Sequence, residues 1–535
     1  MLKNKLNNHE EGVNQKNSAI SMKIQQLIPM FLPLICLSTT ALILVLAHPE
    51  SIFFDENLYI SLGKSIVNGE EYRLGFPDAR IIIPSLIALF LFIGLDIYTI
   101  QFLIPLIFMN ATIIVTYFLA KTMYGEKEAI IATLFLFTFS FFWRWGLSML
   151  LDIPLAALSS LFILFFYLGV EKDKKYLPIS AIFLSLAFFT KASAILLIPP
   201  AFLYLLIVNK RLILTKEFII SVIIVPLLFL FVYTLFHIFL SANIDTSGTS
   251  LGLYIPFRYI EILSLALAPT LLFGFFGISV EKRSFFLGST VLIFVIFFFC
   301  VLTCTYIRYL SPLFPIFGIF VACGYINLRN RFKKIKKIID LVLILFLIIS
   351  SINSVYLIDL DKNAAWGVAT LSKHVNTIEG NVTIASDYNL GYLNVSTSKN
   401  VISIPLYYKF NDEIVEVGNF WSIATNKSNP NSSRYAELYE SGQIKPAFYY
   451  FDDKWIENNH VDYVILSIYG EGRRLSLTRY YNPKFVGIDV PFVKISTCIS
   501  NSFQSKLYKI CEKKYKKIDE IYKNNKLIFI IYKIH

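Results

Sequence analysis

Asp55 and Glu56 stand side by side directly after the first long apolar run of the chain, residues 27–47. Carboxylates at a lipid–water boundary are costly unless solvated or paired, which makes them candidates for function. The plainer reading, that they only mark where a helix leaves the membrane, stays open on these two residues alone. Other single charges recur beside apolar runs: Arg80, Arg144, Asp152, Lys191, His237, Arg258, Glu261 and Arg308. Lys and Arg can reach an interface by stretching along it, and that reading suffices for Arg144 and Arg258. Asp cannot reach far, so Asp152, in Asp152-Ile153-Pro154, is either a helix N-cap or a residue with a task. Cys300 and Cys304 are spaced for one helix face, but no His or further Cys completes a metal set.

Helices that cross a bilayer must position these charges. The chain has 535 residues, of which 56% are hydrophobic and only 16% charged, whereas a soluble domain carries about a quarter charged residues. Apolar stretches of about 20 residues recur through the first two thirds, each long enough to span. A helix is the one open-chain structure that satisfies its backbone in lipid. The sequence predicts a polytopic α-helical membrane protein with about 11 spans, at 27–47, 98–120, 128–146, 149–170, 177–190, 193–208, 218–240, 259–279, 285–305, 309–327 and 338–358. Residues 81–95 are apolar but too short, and suit an interfacial or half-inserted helix. The net charge of +12 lies largely in short loops between these runs, where it sets orientation and is no sign of nucleic-acid binding.

The positive-inside rule tests the count. With residues 1–23 as a cytoplasmic polar tail, Lys121 and Lys127, the 171–175 cluster, Lys210 and Arg211, Lys282 and Arg283, and the 329–337 cluster all fall inside. The same alternation puts Asp55, Glu56, Arg80, Arg144, Asp152, Lys191, His237, Arg258, Glu261 and Arg308 outside, where charges of both signs suggest a polar cavity at one rim. The expected organisation is a transmembrane part at 24–358, with its first outer loop at 48–97, and an extracytoplasmic α/β domain at 359–535. Short apolar or alternating runs at 382–385, 401–404, 462–466 and 527–531 read as strands, and 366–375 as an amphipathic helix. The Lys-rich stretch 506–526 reads as a solvated helix face. Cys498 and Cys511 would both lie outside and could pair. Asn381, Asn394, Asn426 and Asn431 open glycosylation-type triplets, a pattern common by chance.

In order along the chain, these motifs resemble the membrane glycosyltransferases of the GT-C fold, and within them the protein O-mannosyltransferase and aminoarabinose transferase group. The resemblance rests on Asp55-Glu56, Tyr59, Gly63 and Asn68-Gly69 in the first outer loop, then Arg80 and Pro84. It continues with Asp152 and Pro154, Thr190-Lys191, and Arg308, Tyr309, Pro312 and Pro315. It covers roughly residues 27–330. A single Pro84 stands where the group has a Pro-Pro, and the Trp-Trp-Asp motif of oligosaccharyltransferases is absent, which argues against transfer of a whole glycan to Asn.

The resemblance implies sugar transfer from a polyprenyl-phosphate donor to a protein, lipid or glycan acceptor at the outer membrane face. It implies Asp55 as the general base for the acceptor hydroxyl. Glu56 would share the catalytic loop, positioning the acceptor, binding a metal or holding the loop. Lys191 and Arg308, with Arg80 third, would bind the donor phosphate. Asp152, Tyr59 and Tyr309 would position substrate. No cofactor follows, and a divalent metal is left open because no set has clear ligand spacing. The competing class, a transporter or flippase of polyprenyl-linked sugars, would carry its charges near the bilayer midplane and in two related halves; a relative that binds polyprenyl phosphate without catalysis is the third reading.

Overall fold

The computed structural model describes residues 34–46, 54–69, 73–75, 80–236, 239–241, 269–279, 281–301, 307–364, 368–386, 397, 399–404, 406–410, 413–416, 445–449, 453–467, 509–523 and 526–534. His237, Arg258, Glu261, Cys304, Cys498, Asn394, Asn426 and Asn431 lie outside the described residues, as does most of the expected span 259–279.

Among the described residues, five helices are long and apolar enough to cross a membrane, six if one bent pair counts as a single span. They are α4 (Ile97–Met123), α7 (Asp152–Glu171), Ala192–Leu214 with α9 (Ile198–Asn209) between two 3₁₀ turns, Arg308–Arg331, and Lys333–Val355. The bent pair is α5 (Glu126–Thr138) and α6 (Ser140–Gly146), which meet at 62°. Shorter apolar helices are α1 (Leu34–Leu46), α3 (Ile82–Phe92) and α8 (Tyr176–Thr190). Other helices of this part are α2 (Phe54–Val67), α10 (Lys216–Phe236), α11 (Lys282–Val295), α12 (Phe314–Arg331) and α13 (Lys336–Ala364), besides the single turn Leu271–Gly274. The described residues thus account for five or six of the 11 expected spans by length and composition.

α7 is the axis of the bundle, packed against α4 and α8. Small residues on it, Ala156, Ala157, Ser159, Ser160 and Gly169, let neighbouring backbones approach, as membrane interfaces require. A Cβ at Gly169 would lie 2.7 Å from a methyl of Leu177.

The break between α5 and α6 is local. Phe139 takes an extended conformation, and carbonyl groups freed by the bend are satisfied by side chains. Trp143 Nε1 donates to Phe137 O (2.7 Å), and Ser354 Oγ of α13 donates to Thr138 O (2.9 Å).

α3 has 11 residues and is about 16 Å long, half of what a bilayer core needs. Its end is set by Gly94, whose φ of +86° a side chain would resist. Gly94 N donates to Leu91 O and Leu95 N to Phe90 O, a Schellman ending. Asp96 then starts α4, its carboxylate accepting from Thr99 N (3.0 Å) and Thr99 Oγ1 (2.6 Å). α2 lies tight on α3 because residue 63 is glycine: a Cβ there would sit 2.6 Å from Ile87 Cγ2 and 3.2 Å from Pro84 O.

The C-terminal part has a five-stranded sheet in the order β4 (Asn400–Ser403), β3 (Thr383–Ser386), β8 (Tyr463–Ser467), β10 (Lys526–Lys533), β9 (Lys516–Lys523). β3 is parallel to β4 and β8; β10 is antiparallel to β8 and β9. The expected strands and the helix α14 (Val368–Asn376) are therefore present. A separate antiparallel sheet, β6 (Glu413–Glu416), β5 (Leu406–Phe410) and β7 (Lys445–Tyr449), was not expected from the sequence. Nor was a parallel pair linking the first loop, β1 (Arg73–Gly75), to β2 (Phe239–Ser241) after α10.

The Lys-rich stretch differs from its expectation: after a short helical turn it becomes the edge strand β9. Pairing to β10 overrides helix propensity there, and lysines on an edge strand discourage further pairing.

Alternation along the strands builds two cores. On one face Ile384, Val401, Ile465, Ile521, Phe529 and Ile531 pack with Leu371 and Val375 of α14. That same cluster continues into Tyr59, Ile60, Ile83, Ile87, Ile100, Ile104 and residues 149–151, so the sheet rests on the cap formed by α2, α3 and the start of α4. On the other face Ala385, Val464, Leu466, Ile530 and Tyr532 enclose Cys511, a free thiol that burial pushes up to about 12.

Candidate functional site

The end of α7 that begins at Asp152 collects charges from four separate stretches. Asp152 does not act as an N-cap: no side chain caps this helix. Its Oδ1 instead accepts from Lys191 Nζ at 3.0 Å, 2% exposed though the residue is. Lys191 sits in an extended residue between α8 and the 3₁₀ turn Ala192–Leu197, at the bend expected at 190–193. Burial pushes its ammonium below the ordinary lysine range, and the Asp152 carboxylate opposes that shift. The charges of Arg308 and Arg80 also bear on it.

Tyr309 ties the cations together. Lys191 Nζ lies 4.1 Å from the centre of its ring and Arg308 Cζ 5.4 Å, distances at which the negative face of an aromatic ring attracts a cation. The ring stacks on Phe298 at 5.3 Å. Two residues on, Ser311 Oγ donates to the backbone oxygen of Asp152 (2.7 Å), fastening the 307–313 turn to the start of α7. Arg308 is 8% exposed.

Arg80 enters from the first loop. The next residue, Ile81, donates its N–H to Phe189 O (2.8 Å), two residues before Lys191. Glu56, 2% exposed, accepts from Met149 N (2.6 Å), three residues before Asp152. Three residues of chain reach about 11 Å at most, so the loop carrying the carboxylate pair stands beside the cation cluster. This contact with the Met149 amide fits the loop-holding role among the three open for Glu56. Asp55 lies in the first turn of α2, and its side chain lies outside the described residues. Tyr59, 2% exposed, is packed in the cap's apolar cluster.

The structure thus brings Glu56, Arg80, Asp152, Lys191, Arg308 and Tyr309 to one end of the bundle. It adds Ser311 and the Met149 amide, which no motif announced. It also buries Arg144, 8% exposed, 5.0 Å over the Trp145 ring on α6, where an interfacial residue was expected. α6 packs against α7 and the 307–313 turn. Among the described residues no group of three His, Cys, Asp or Glu is placed to hold a metal ion.

The other ends of these helices meet about 30 Å away, the length of α7 and the thickness of a bilayer core. There Tyr204 donates to Glu171 (2.5 Å), Lys174 pairs with Glu217 (3.2 Å), and Arg283 donates to Met123 O. The two sets of charges therefore occupy opposite faces of the bundle, as the alternation of basic clusters requires.

Residues 78–237 match the family described as Dolichyl-phosphate-mannose-protein mannosyltransferase. That stretch contains Arg80, Asp152 and Lys191. No match was found among curated proteins by sequence. Among solved structures, the chain is similar to ArnT from Cupriavidus metallidurans bound to undecaprenyl phosphate, with a TM-score of 0.54, 11% identity, and 94% of this chain and 97% of that one covered. The apo form of the same protein gives a TM-score of 0.53 at 10% identity, covering 96% and 98%. The likeness thus extends over nearly the whole of both chains, and the chain has the GT-C fold of membrane glycosyltransferases.

Proposed function

We propose that the chain is a glycosyltransferase that moves a sugar from a polyprenyl-phosphate donor to an acceptor hydroxyl at the outer face of the membrane. The observation that carries this reading is the paired placement of Lys191 and Arg308 on the Tyr309 ring, held by Asp152 at one rim of the bundle. A leaving lipid phosphate gains negative charge as the glycosidic bond breaks, and preorganised cations in a water-poor site stabilise that charge strongly. Lys191 and Arg308 hold the phosphate, with Arg80 as third cation. Asp152 keeps Lys191 charged and aimed. Asp55 takes the proton of the attacking hydroxyl, and Glu56 fixes its loop to Met149. The undecaprenyl phosphate in the similar ArnT structure agrees with such a donor. Sugar and acceptor are to be found by adding a panel of radiolabelled polyprenyl-phosphate sugars to the purified protein with candidate protein, lipid and glycan acceptors. Transfer of label to an acceptor supports the reading; lipid movement across a vesicle without transfer makes the chain a flippase.

The same proposal places residues 1–23 in the cytoplasm and 359–535 outside, because the basic clusters then all lie inside. In intact cells, a cysteine replacing Ser432 should react with a membrane-impermeant thiol reagent, and one replacing Asn330 should not. The reverse pattern overturns the orientation.

A further inference from the structure

At the face opposite the candidate site, several basic residues pair with acidic ones. Lys121 pairs with Glu126 (2.6 Å), Lys174 with Glu217 (3.2 Å), and Arg283 with Glu281. The connection from α12 to α13 is different. Arg331, Lys333, Lys334, Lys336 and Lys337 are all exposed, with no acidic residue between them. The carboxylate nearest in sequence, Asp340, is engaged by Arg329 Nε (2.9 Å) and the Tyr325 hydroxyl (2.6 Å). None of the five cations forms an ion pair among the described residues.

Orientation does not require this. Topology responds to Lys and Arg, and acidic residues contribute little, so the mixed loops serve it as well. What distinguishes this loop is density: five exposed Lys and Arg within seven residues, beside an Asp340 whose carboxylate is already held by Arg329 and Tyr325. Apolar side chains alternate with these charges: Phe332 is 45% exposed, Ile335 44% and Ile338 57%. The span that follows is also the least enclosed. Only 22% of the window in Lys333–Val355 is buried inside the protein, against 83% in Arg308–Arg331 before it. The chain therefore leaves the bundle interior through this loop and re-enters the bilayer at the bundle's edge, beside lipid.

A run of about four to eight Lys/Arg next to a span attracts anionic lipid, and exposed apolar side chains between the charges settle at the acyl boundary. We propose that residues 331–337 are a binding site for anionic phospholipid headgroups, with the phosphates received by Lys333, Lys334, Lys336, Lys337 and Arg331. The site is independent of the sugar-transfer reading.

The test titrates full-length protein in neutral detergent with phosphatidylglycerol or phosphatidylcholine and follows the thermal unfolding midpoint, which rises when a ligand binds the folded form. Phosphatidylglycerol should raise the midpoint and phosphatidylcholine should not. Changing Lys333, Lys334, Lys336 and Lys337 together to Gln should weaken the apparent affinity at least about tenfold, while changing all four to Arg keeps it within about twofold. A control with Lys127, Lys172, Lys175 and Lys210 changed to Gln should also stay within about twofold of the original. Added salt should weaken the effect. Equal stabilisation by both lipids overturns the proposal. So does an equal loss in the control, or a four-Gln protein that responds like the original. If the four-Gln protein unfolds at a lower midpoint without lipid, recovery in the four-Arg protein still separates charge from folding.

Discussion

Replacing Asp55 by Asn is expected to leave a folded, inserted protein that transfers sugar about 10² to 10⁴ times more slowly, the usual cost of losing a positioned general base. The amide has nearly the shape of the carboxylate but cannot take a proton from the acceptor hydroxyl. Donor binding should not weaken, because the change removes a negative charge from the loop beside the phosphate-binding cations and leaves Lys191 and Arg308 in place. The measurement is single-turnover transfer at saturating donor and acceptor, with thermal unfolding as the control for folding. Near-normal turnover would remove Asp55 from the role and make Glu56 or Asp152 the next to be tried. A loss seen only as failed insertion or poor yield would make the Asp-Glu pair structural. Glu56→Gln should behave differently: Glu56 accepts the Met149 amide in a buried place, and an amide oxygen can still accept that bond, so a milder loss is expected than for Asp55→Asn.

Lys191→Met and Arg308→Met are expected to weaken donor binding as well as turnover, since the phosphate is charged before and after transfer. Each removes a charge-assisted hydrogen bond worth roughly 1.5–3 kcal/mol, or about 10- to 150-fold in donor affinity. The double variant should lose less than the sum, because both cations share one aromatic ring and would share one phosphate. Asp152→Asn gives a separate signature. Burial lowers the Lys191 pKa and Asp152 opposes it, so without the carboxylate the ammonium loses its proton at lower pH. Donor affinity in Asp152→Asn should therefore fall on raising the pH over a range where the original protein is unaffected. Binding of polyprenyl phosphate measured against pH decides it. A pH profile parallel to that of the original protein would mean that Asp152 is not what keeps Lys191 charged.

The cation cluster was legible because lone charges in apolar sequence are rare and costly, so Asp152, Lys191 and Arg308 stood out by their surroundings. Tyr309 was visible as a neighbour of Arg308, but its place under two cations depends on where the 307–313 turn packs on the start of α7, beside Lys191, which no spacing reveals. Ser311 was silent for the same reason: a serine donating to a backbone oxygen leaves no mark in a single sequence. Tyr59, expected at the substrate, shares an apolar cluster with Ile83 and Ile87; an aromatic residue beside a charge pair serves packing and recognition equally well in one dimension. That α3 does not span was readable from its apolar run, since residues 81–95 are too few to cross, and the helix itself has 11 residues. β9 was not, because its lysines hide an alternation that only pairing to β10 brings out.

The packing of the sheet on the cap has a consequence for biosynthesis. Ile83 and Ile87, early in the chain, share one apolar cluster with Phe529 and Ile531 of β10. β10 is an inner strand, bonded to β8 on one side and β9 on the other. The ribosome delivers the Asp-Glu loop, then every described span, and only afterwards the strand that seals the surface behind that loop. Until β10 arrives, the cap faces water with an unfinished apolar side. A message stopped short of residue 526 would thus yield a fully inserted bundle with an open, sticky headpiece, the kind of product that membrane proteases recognise, rather than a slow enzyme.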